Sequence, residues 1–100
     1  MSGPLSGYRV IDLTQMIAGP LATMILGDQG ADVIKVENPA GGDYVRRAAN
    51  RRSGFSAAFL NNNRNKRSIA LNLKHEQGIH LLLELAWLEV RLAREIDVDL

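Results

Sequence analysis

The spacing of apolar positions changes along the chain, and each change predicts an element. Arg9, Val10, Ile11, Asp12 and Leu13 form a short run rich in branched residues, introduced by Gly7, which predicts a buried strand. Residues 14–18 then form a connection. Gly19-Pro20 marks a helix start, because Pro is favoured at the first helical position. Leu21, Met24, Ile25 and Asp28 recur at 3–4 spacing, and Ala22, Leu26 and Gln29 widen that face. Gly30 is placed to end the helix in a left-handed turn. Residues 31–37 follow as a second strand around Val33, Ile34, Lys35 and Val36. Strand, helix and strand within about 30 residues make a βαβ unit, which implies parallel strands and a right-handed crossover.

Residues 38–65 break the periodicity with Pro39, Gly41, Gly42, several Asn and most of the Arg residues. A loop of that length in a compact domain is uncommon and often functional. Within it, 44–49 and 55–60 each suit a short helix. Residues 68–73 alternate polar and apolar, as a strand with one buried face does. From Glu76 onward the pattern is helical, with Ile79, Leu82, Leu83 and Ala86 on one face and continuation to about Ile96. The predicted class is α/β: the start of a Rossmann-like parallel sheet, ordered β-α-β, basic loop, β-α, and incomplete.

A chain of 100 residues holds one domain at most. A hydrophobic content of 46% with 23% charged residues suits a globular domain rather than a disordered tail. The absence of Cys excludes disulfides, thiolate metal sites and a Cys nucleophile, and suits a reducing cytoplasm. No basic-then-apolar leader pattern follows Met1, and no apolar run approaches the roughly 20 residues of a membrane span. The balanced net charge of +1 hides an asymmetry. No acid lies between Asp43 and Glu76, while Arg46, Arg47, Arg51, Arg52, Arg64, Lys66, Arg67 and Lys74 fall there. Such a patch suits an anionic ligand: a nucleotide phosphate, a nucleic acid or an acidic partner.

The first connection, from Thr14 to Pro20, sits where open parallel sheets bind ligands, beyond a strand's carboxyl end and at a helix N-terminus. An ordinary strand-to-helix turn has the same local chemistry. The fingerprint G-x-G-x-x-G is absent, which argues against a nicotinamide or flavin dinucleotide. The polar run from Asn61 to Ser68 suits either phosphate pairing or a solvated loop. RNA binding would also want exposed aromatics, and Phe55 and Phe59 at i, i+4 are expected to face a core instead. His75 and His80 are out of phase for a shared metal, so no metal is expected. Asp12 reads as a strand-end hydrogen-bonding residue and Trp87 as a packing residue.

Taken in order, these segments resemble the family III CoA-transferases, the CaiB/BaiF type that includes formyl-CoA transferases and α-methylacyl-CoA racemases. The residues that carry the resemblance are Pro4 through Thr14, Ala18-Gly19-Pro20, Leu26 through Glu37, Gly41-Gly42-Asp43 and Asn65 through Lys74. The resemblance implies coenzyme A or acyl-CoA as substrate and a homodimeric full-length protein, with no metal, nucleic acid or membrane partner. It places the thioester end of CoA near Ile17 and Ala18. It places the adenine nucleotide near Asn38, where the family often has Arg, and near Leu71, Asn72, Leu73 and Lys74, where Asn72 replaces a usual Asp. The resemblance fades after about Ala86, so residues 1–86 read as the N-terminal part of the large domain and 87–100 as a divergent helical tail. The implied chemistry is transfer of CoA between carboxylic acids through an Asp acyl-anhydride, or racemisation at the α-carbon. The catalytic Asp of the family would lie further on, and Asp97 and Asp99 have no matching context. The chain alone is therefore expected to be inactive. A non-catalytic interaction module and a basic nucleic-acid binder are the competing readings.

Overall fold

The computed structural model describes residues 3–47, 51, 52 and 54–95. Residues 48–50 and 96–100, and with them Ala49, Ile96, Asp97 and Asp99, lie outside the described residues. The chain divides into two compact units, Met1–Ala70 and Leu71–Leu100.

The first unit is built on a three-stranded sheet of β1 (Arg9–Asp12), β2 (Asp32–Glu37) and β5 (Lys66–Ala70). The order is β1-β2-β5 and both pairings are parallel, as the βαβ pattern predicts. Register aligns Asp12 with Lys35 and Lys35 with Ser68. Alternation then puts Asp12, Val33, Lys35, Glu37, Lys66 and Ser68 on one face of the sheet. Arg9, Asp32 and Arg67 share the other face, where Asp32 accepts from both guanidinium groups.

Helix α1 (Ala18–Asp28) connects β1 to β2. It closes with a Schellman turn: Ala31 N–H donates to Leu26 O and Gly30 N–H to Gly27 O, with Gly30 at φ 103°. Its buried line is Pro20, Met24 and Gly27, whereas Leu21 and Ile25 are 40% and 45% exposed. The expected apolar stripe is thus rotated by about one residue. The cause is close approach: a Cβ on Gly27 would lie 3.3 Å from Asn65 O and 3.4 Å from Val33 Cγ2, so the small residue faces the sheet.

The long loop is more structured than its composition suggests. A 3₁₀ turn spans Tyr44–Arg47, β3 (Arg51–Arg52) pairs antiparallel with β4 (Phe55–Ser56), and α2 (Ala57–Asn62) follows. Ser56 caps α2 by accepting from Phe59 N–H. Phe55 is 61% exposed rather than core-facing. Two-residue strands have no period to detect, so this hairpin was not legible in the pattern.

β5 begins two residues earlier than the alternation at 68–73 predicts. The reason is Lys66, a polar residue in the sequence but a side chain only 2% exposed in the fold.

In the second unit, Asn72 starts a turn that leads into α3 (Glu76–Glu95). Asn72 Oδ1 accepts from Lys74 N–H and Asn72 O from His75 N–H. Gly78 is buried and Leu82 and Leu85 are half-buried. Ile79, Leu83 and Ala86 are exposed, again a shift of about one position from the expected face. Trp87, expected to pack, is 55% exposed. No helix among the described residues is long and apolar enough to cross a membrane.

Candidate functional site

Charge, not oil, fills the face of the sheet beneath α1. Lys35 Nζ lies 2.9 Å from Asp43 Oδ2, with both side chains essentially inaccessible at 1% and 0%. Lys66 Nζ lies 2.9 Å from Asp12 Oδ2, at 2% and 0%. Lys66 also donates to Pro20 O and to Asn63 Oδ1, tying β5 to the first turn of α1. Glu37, at the end of β2, takes a two-pronged hydrogen bond from Arg46 at 2.7 and 2.8 Å, a third from Ser68 Oγ and a fourth from Asp43 N–H. Arg46 in turn stacks over Phe59 at 3.8 Å.

The electrostatics follow from these partners. Burial pushes the Glu37 carboxyl up, but Arg46, Ser68 and the Asp43 N–H outweigh it and hold it down at about 2. Burial likewise opposes ionisation of Asp12, and hydrogen bonds from Thr14, Lys66 and Thr23 leave it below the usual carboxylate range. For Lys66 burial prevails over Asp12 and lowers the ammonium's affinity for its proton.

This network frames the connection from β1 to α1. Asp12 Oδ1 accepts from Thr14 N–H, Lys35 Nζ donates to Thr14 O, and Met16 N–H donates to Asp43 Oδ1. Met16 has φ 75°, a conformation bulky residues rarely adopt. Beyond it, Ile17 is the N-cap of α1 and makes no side-chain capping bond, so the N–H groups of the first turn, at Ala18 and Gly19, have no capping acceptor from it. Met16 and Ile17 are 47% and 46% exposed, and Ala18 is exposed beside them.

Asn38 stands just past the end of β2, in the same unit as Ile17 and Ala18. It is exposed, but its Oδ1 is engaged by Ala40 N–H and its carbonyl by Gly42 N–H, which folds the turn back on itself. Leu71, Asn72, Leu73 and Lys74 belong to the second unit. Leu71 is buried, whereas Asn72, Leu73 and Lys74 are exposed. An Asx turn needs only a side-chain acceptor oxygen at Asn72, which an amide supplies as well as a carboxylate.

Four of the eight basic residues of the segment pair with acids of the fold. Arg46 pairs with Glu37, Arg64 with Asp28, Lys66 with Asp12 and Arg67 with Asp32. The polar run before β5 is equally committed: Asn63 holds Lys66, Asn65 donates to Asp28, and Ser68 reaches Glu37. Half of the patch read from the sequence as anion-seeking thus meets acids that lie earlier in the chain, with Lys66 buried and Arg64 and Arg67 still exposed. Charge counted along a sequence window cannot see that pairing. A concavity of about 420 Å³ lined by Gly27, Gly30, Ala31, Asp32 and Asn65 lies at the opposite, amino end of the strands. Among the described residues no three His, Cys, Asp or Glu side chains converge as a metal site would require.

The sequence reading passed over Lys35, Asp43 and Lys66 as parts of the site. A signal was available for Lys35: a Lys between Ile34 and Val36 in a buried run is rarely tolerated unless it is paired.

A parallel sheet with an open connection at a strand end, leading into a helix, is the α/β arrangement in which ligands are bound beyond the strand ends. The chain belongs to CoA-transferase family III, whose profile matches residues 5–87. It is 51% identical over 87 residues to a succinyl-CoA:glutarate CoA-transferase of Mus musculus, covering 83% of this chain and 19% of that protein. It is 45% identical over 84 residues to the succinyl-CoA–L-malate CoA-transferase alpha subunit of Chloroflexus aurantiacus, covering 82% and 20%. A crystal structure from Mycobacterium tuberculosis superposes with a TM-score of 0.76 at 46% identity, covering 85% of this chain and 23% of that one. A CaiB/BaiF family protein from Brucella suis gives a TM-score of 0.74 at 39% identity, covering 82% and 23%. The chain therefore spans about a fifth of the length of the curated relatives it matches.

Proposed function

We propose that this chain supplies the coenzyme-A-binding opening of an acyl-CoA transferase that moves CoA between carboxylic acids. The observation that carries the reading is the strand-end connection. Ile17 and Ala18 stand exposed at an uncapped helix start, on a loop fixed from below by buried ion pairs. Such a start offers uncapped N–H groups and the positive end of the helix dipole to a polarised thioester carbonyl. Asn38 would meet the nucleotide end with its Nδ2; in the second unit, Leu71, Asn72, Leu73 and Lys74 are proposed by themselves as contacts of the adenine end.

Relatives named for succinyl-CoA recur in the comparisons, with glutarate, L-malate and mesaconate as co-substrates. Succinyl-CoA is accordingly the proposed donor and a short dicarboxylate the proposed acceptor. In the reaction an Asp carboxylate attacks the thioester and releases CoA thiolate, leaving an acyl-Asp anhydride. The thiolate then attacks the Asp carbonyl, which frees the donor carboxylate and leaves an Asp-CoA thioester. The acceptor carboxylate runs the same two exchanges in reverse, to leave as its CoA thioester with the Asp carboxylate regenerated. That Asp has no counterpart assigned among these residues, so the chain binds but does not turn over. A cytoplasmic setting and a homodimeric assembly belong to the same reading.

The test is calorimetric titration of the purified chain with CoA and succinyl-CoA, beside a transferase assay with succinyl-CoA and glutarate. Saturable binding without turnover is the expected result. No binding of either ligand at millimolar concentration would remove the proposal, and turnover would remove the claim of inactivity.

A further inference from the structure

The Lys35–Asp43 pair is the most deeply buried charge pair in the first unit, and the energetics of burial do not explain it. Replacing a buried ion pair by apolar side chains of similar volume is often neutral or stabilising. Asp43 Oδ2 faces the Lys35 ammonium 2.9 Å away and takes no other hydrogen bond among the described residues. The hydrogen bonds that both side chains do make go to chain segments around one spot. Lys35 Nζ donates to Thr14 O at 2.9 Å. Asp43 Oδ1 accepts from Met16 N–H at 3.2 Å and from Val45 N–H at 3.1 Å. Gln15 lies between those two anchors on the connection, and the left-handed backbone of Met16 begins at the second of them, its own N–H. A bulky residue held there relaxes unless its surroundings fix it. Relaxation would redirect Ile17 and Ala18, the next residues along.

We propose that Lys35 and Asp43 are positioning residues, which clamp the Thr14–Met16 backbone from beneath and so hold Ile17 and Ala18 in the orientation that receives an acyl-CoA thioester. The second half of this statement rests on the CoA-binding reading; the first half does not. Lys35 reaches the connection from β2 and Asp43 from the turn after it, so the sheet centre and the Gly41-Gly42-Asp43 turn act on the same loop.

The experiment compares the 100-residue chain with its K35M/D43L variant by thermal unfolding, by NMR of Met16 and by titration with succinyl-CoA. A left-handed residue gives a strong intraresidue Hα–HN NOE. The expected result is cooperative unfolding at a temperature no lower than the parent's, with loss of that NOE at Met16 and about tenfold weaker binding. An unchanged NOE and unchanged affinity in a folded variant would overturn the proposal.

Should the double variant fail to fold, Asp43→Asn weakens the clamp while keeping an acceptor for Met16 N–H. Met16→Gly added to Asp43→Asn then restores affinity, because Gly holds a left-handed backbone without a clamp. Absence of that rescue would overturn the positioning role. If the parent chain binds no succinyl-CoA, the CoA reading fails with it. The clamp is then decided by the Met16 NOE alone.

Discussion

At the residue scale, individual charges carry the fold, and two of them make sharp predictions. Glu37 is ionised with its carboxyl held down at about 2, against 4.5 for an unrestrained Glu. A depressed carboxylate contributes stability that is fully present above the unfolded value and is lost as pH falls through the folded one. Stability should therefore decline between about pH 4.5 and 2, by on the order of 3 kcal/mol from this group. Urea titrations across that range would show it, and Glu37→Gln should flatten the slope. An equal slope in the variant would assign the acid sensitivity elsewhere. Lys66 offers the second case. Lys66→Met leaves the Asp12 carboxylate buried without its cation, which costs about 3 kcal/mol. Asp12→Asn on top of it removes the stranded charge and keeps an acceptor oxygen for Thr14, while its Nδ2 can donate to the Thr23 hydroxyl in place of the bond lost, so most of the loss should return. Chemical denaturation of the single and double variants gives the comparison directly.

At the scale of elements, α1 shows what pattern can and cannot predict. Its start at Gly19-Pro20, its end at Gly30 and its place between two parallel strands were all legible, because capping and chain direction are local properties. Its buried face was not. Leu21 and Ile25 look like core residues by spacing, yet Pro20, Met24 and Gly27 face the sheet. The deciding factor is close backbone approach at Gly27, a tertiary fact that hydrophobicity does not encode. The same limit hid Lys66 within β5 and the pairing of half of the basic segment with earlier acids. The candidate connection was legible as a loop between strand and helix, and Lys35 in an apolar run signalled a partner, but which acids Lys35 and Lys66 meet, Asp43 and Asp12, needed the fold. The joint between connection and helix is correspondingly tight. A Cβ on Gly19 would lie 2.6 Å from Thr14 Cβ and 2.8 Å from its Cγ2. Gly→Ala within a helix ordinarily stabilises by about 1 kcal/mol. Gly19→Ala should instead destabilise by about 1–3 kcal/mol, since one side chain must be pushed aside at a fixed Cβ. A variant with raised stability in thermal melts would show that the connection yields more easily than its hydrogen bonds imply.

At the scale of the whole molecule, the buried residues do not form an oily centre. Among the described residues of the first unit, the buried apolar side chains are Pro20, Met24, Ala31, Val33, Val36 and Val45, all of modest size except Met24. Against them stand Asp12, Lys35, Glu37, Asp43, Ser56 and Asn63, each buried and polar. Apolar burial stabilises in proportion to area, at roughly 25 cal/mol per Å², and such small side chains contribute little of it. Paired charges fix which groups meet but add little net stability once their desolvation is counted. Large apolar side chains meanwhile lie on the surface: Leu13, Ile17, Leu21, Ile25 and Ile69 in the first unit, Ile79, Leu83 and Trp87 in the second. β5 pairs with β2 on one side only among the described residues, which leaves an open strand edge. A specific but weakly stabilised interior with apolar groups outside predicts self-association that strengthens with concentration. Sedimentation velocity over a dilution series should show the mean sedimentation coefficient rising with protein concentration, and a hydrophobic dye should fluoresce with the native chain. Salt separates the causes. Screening weakens attraction between exposed charges but leaves apolar association intact or stronger. Association that persists in high salt identifies the apolar surface as its source. Association abolished by salt would instead assign it to exposed basic residues such as Arg47 and Arg52 and favour an acidic partner for that segment.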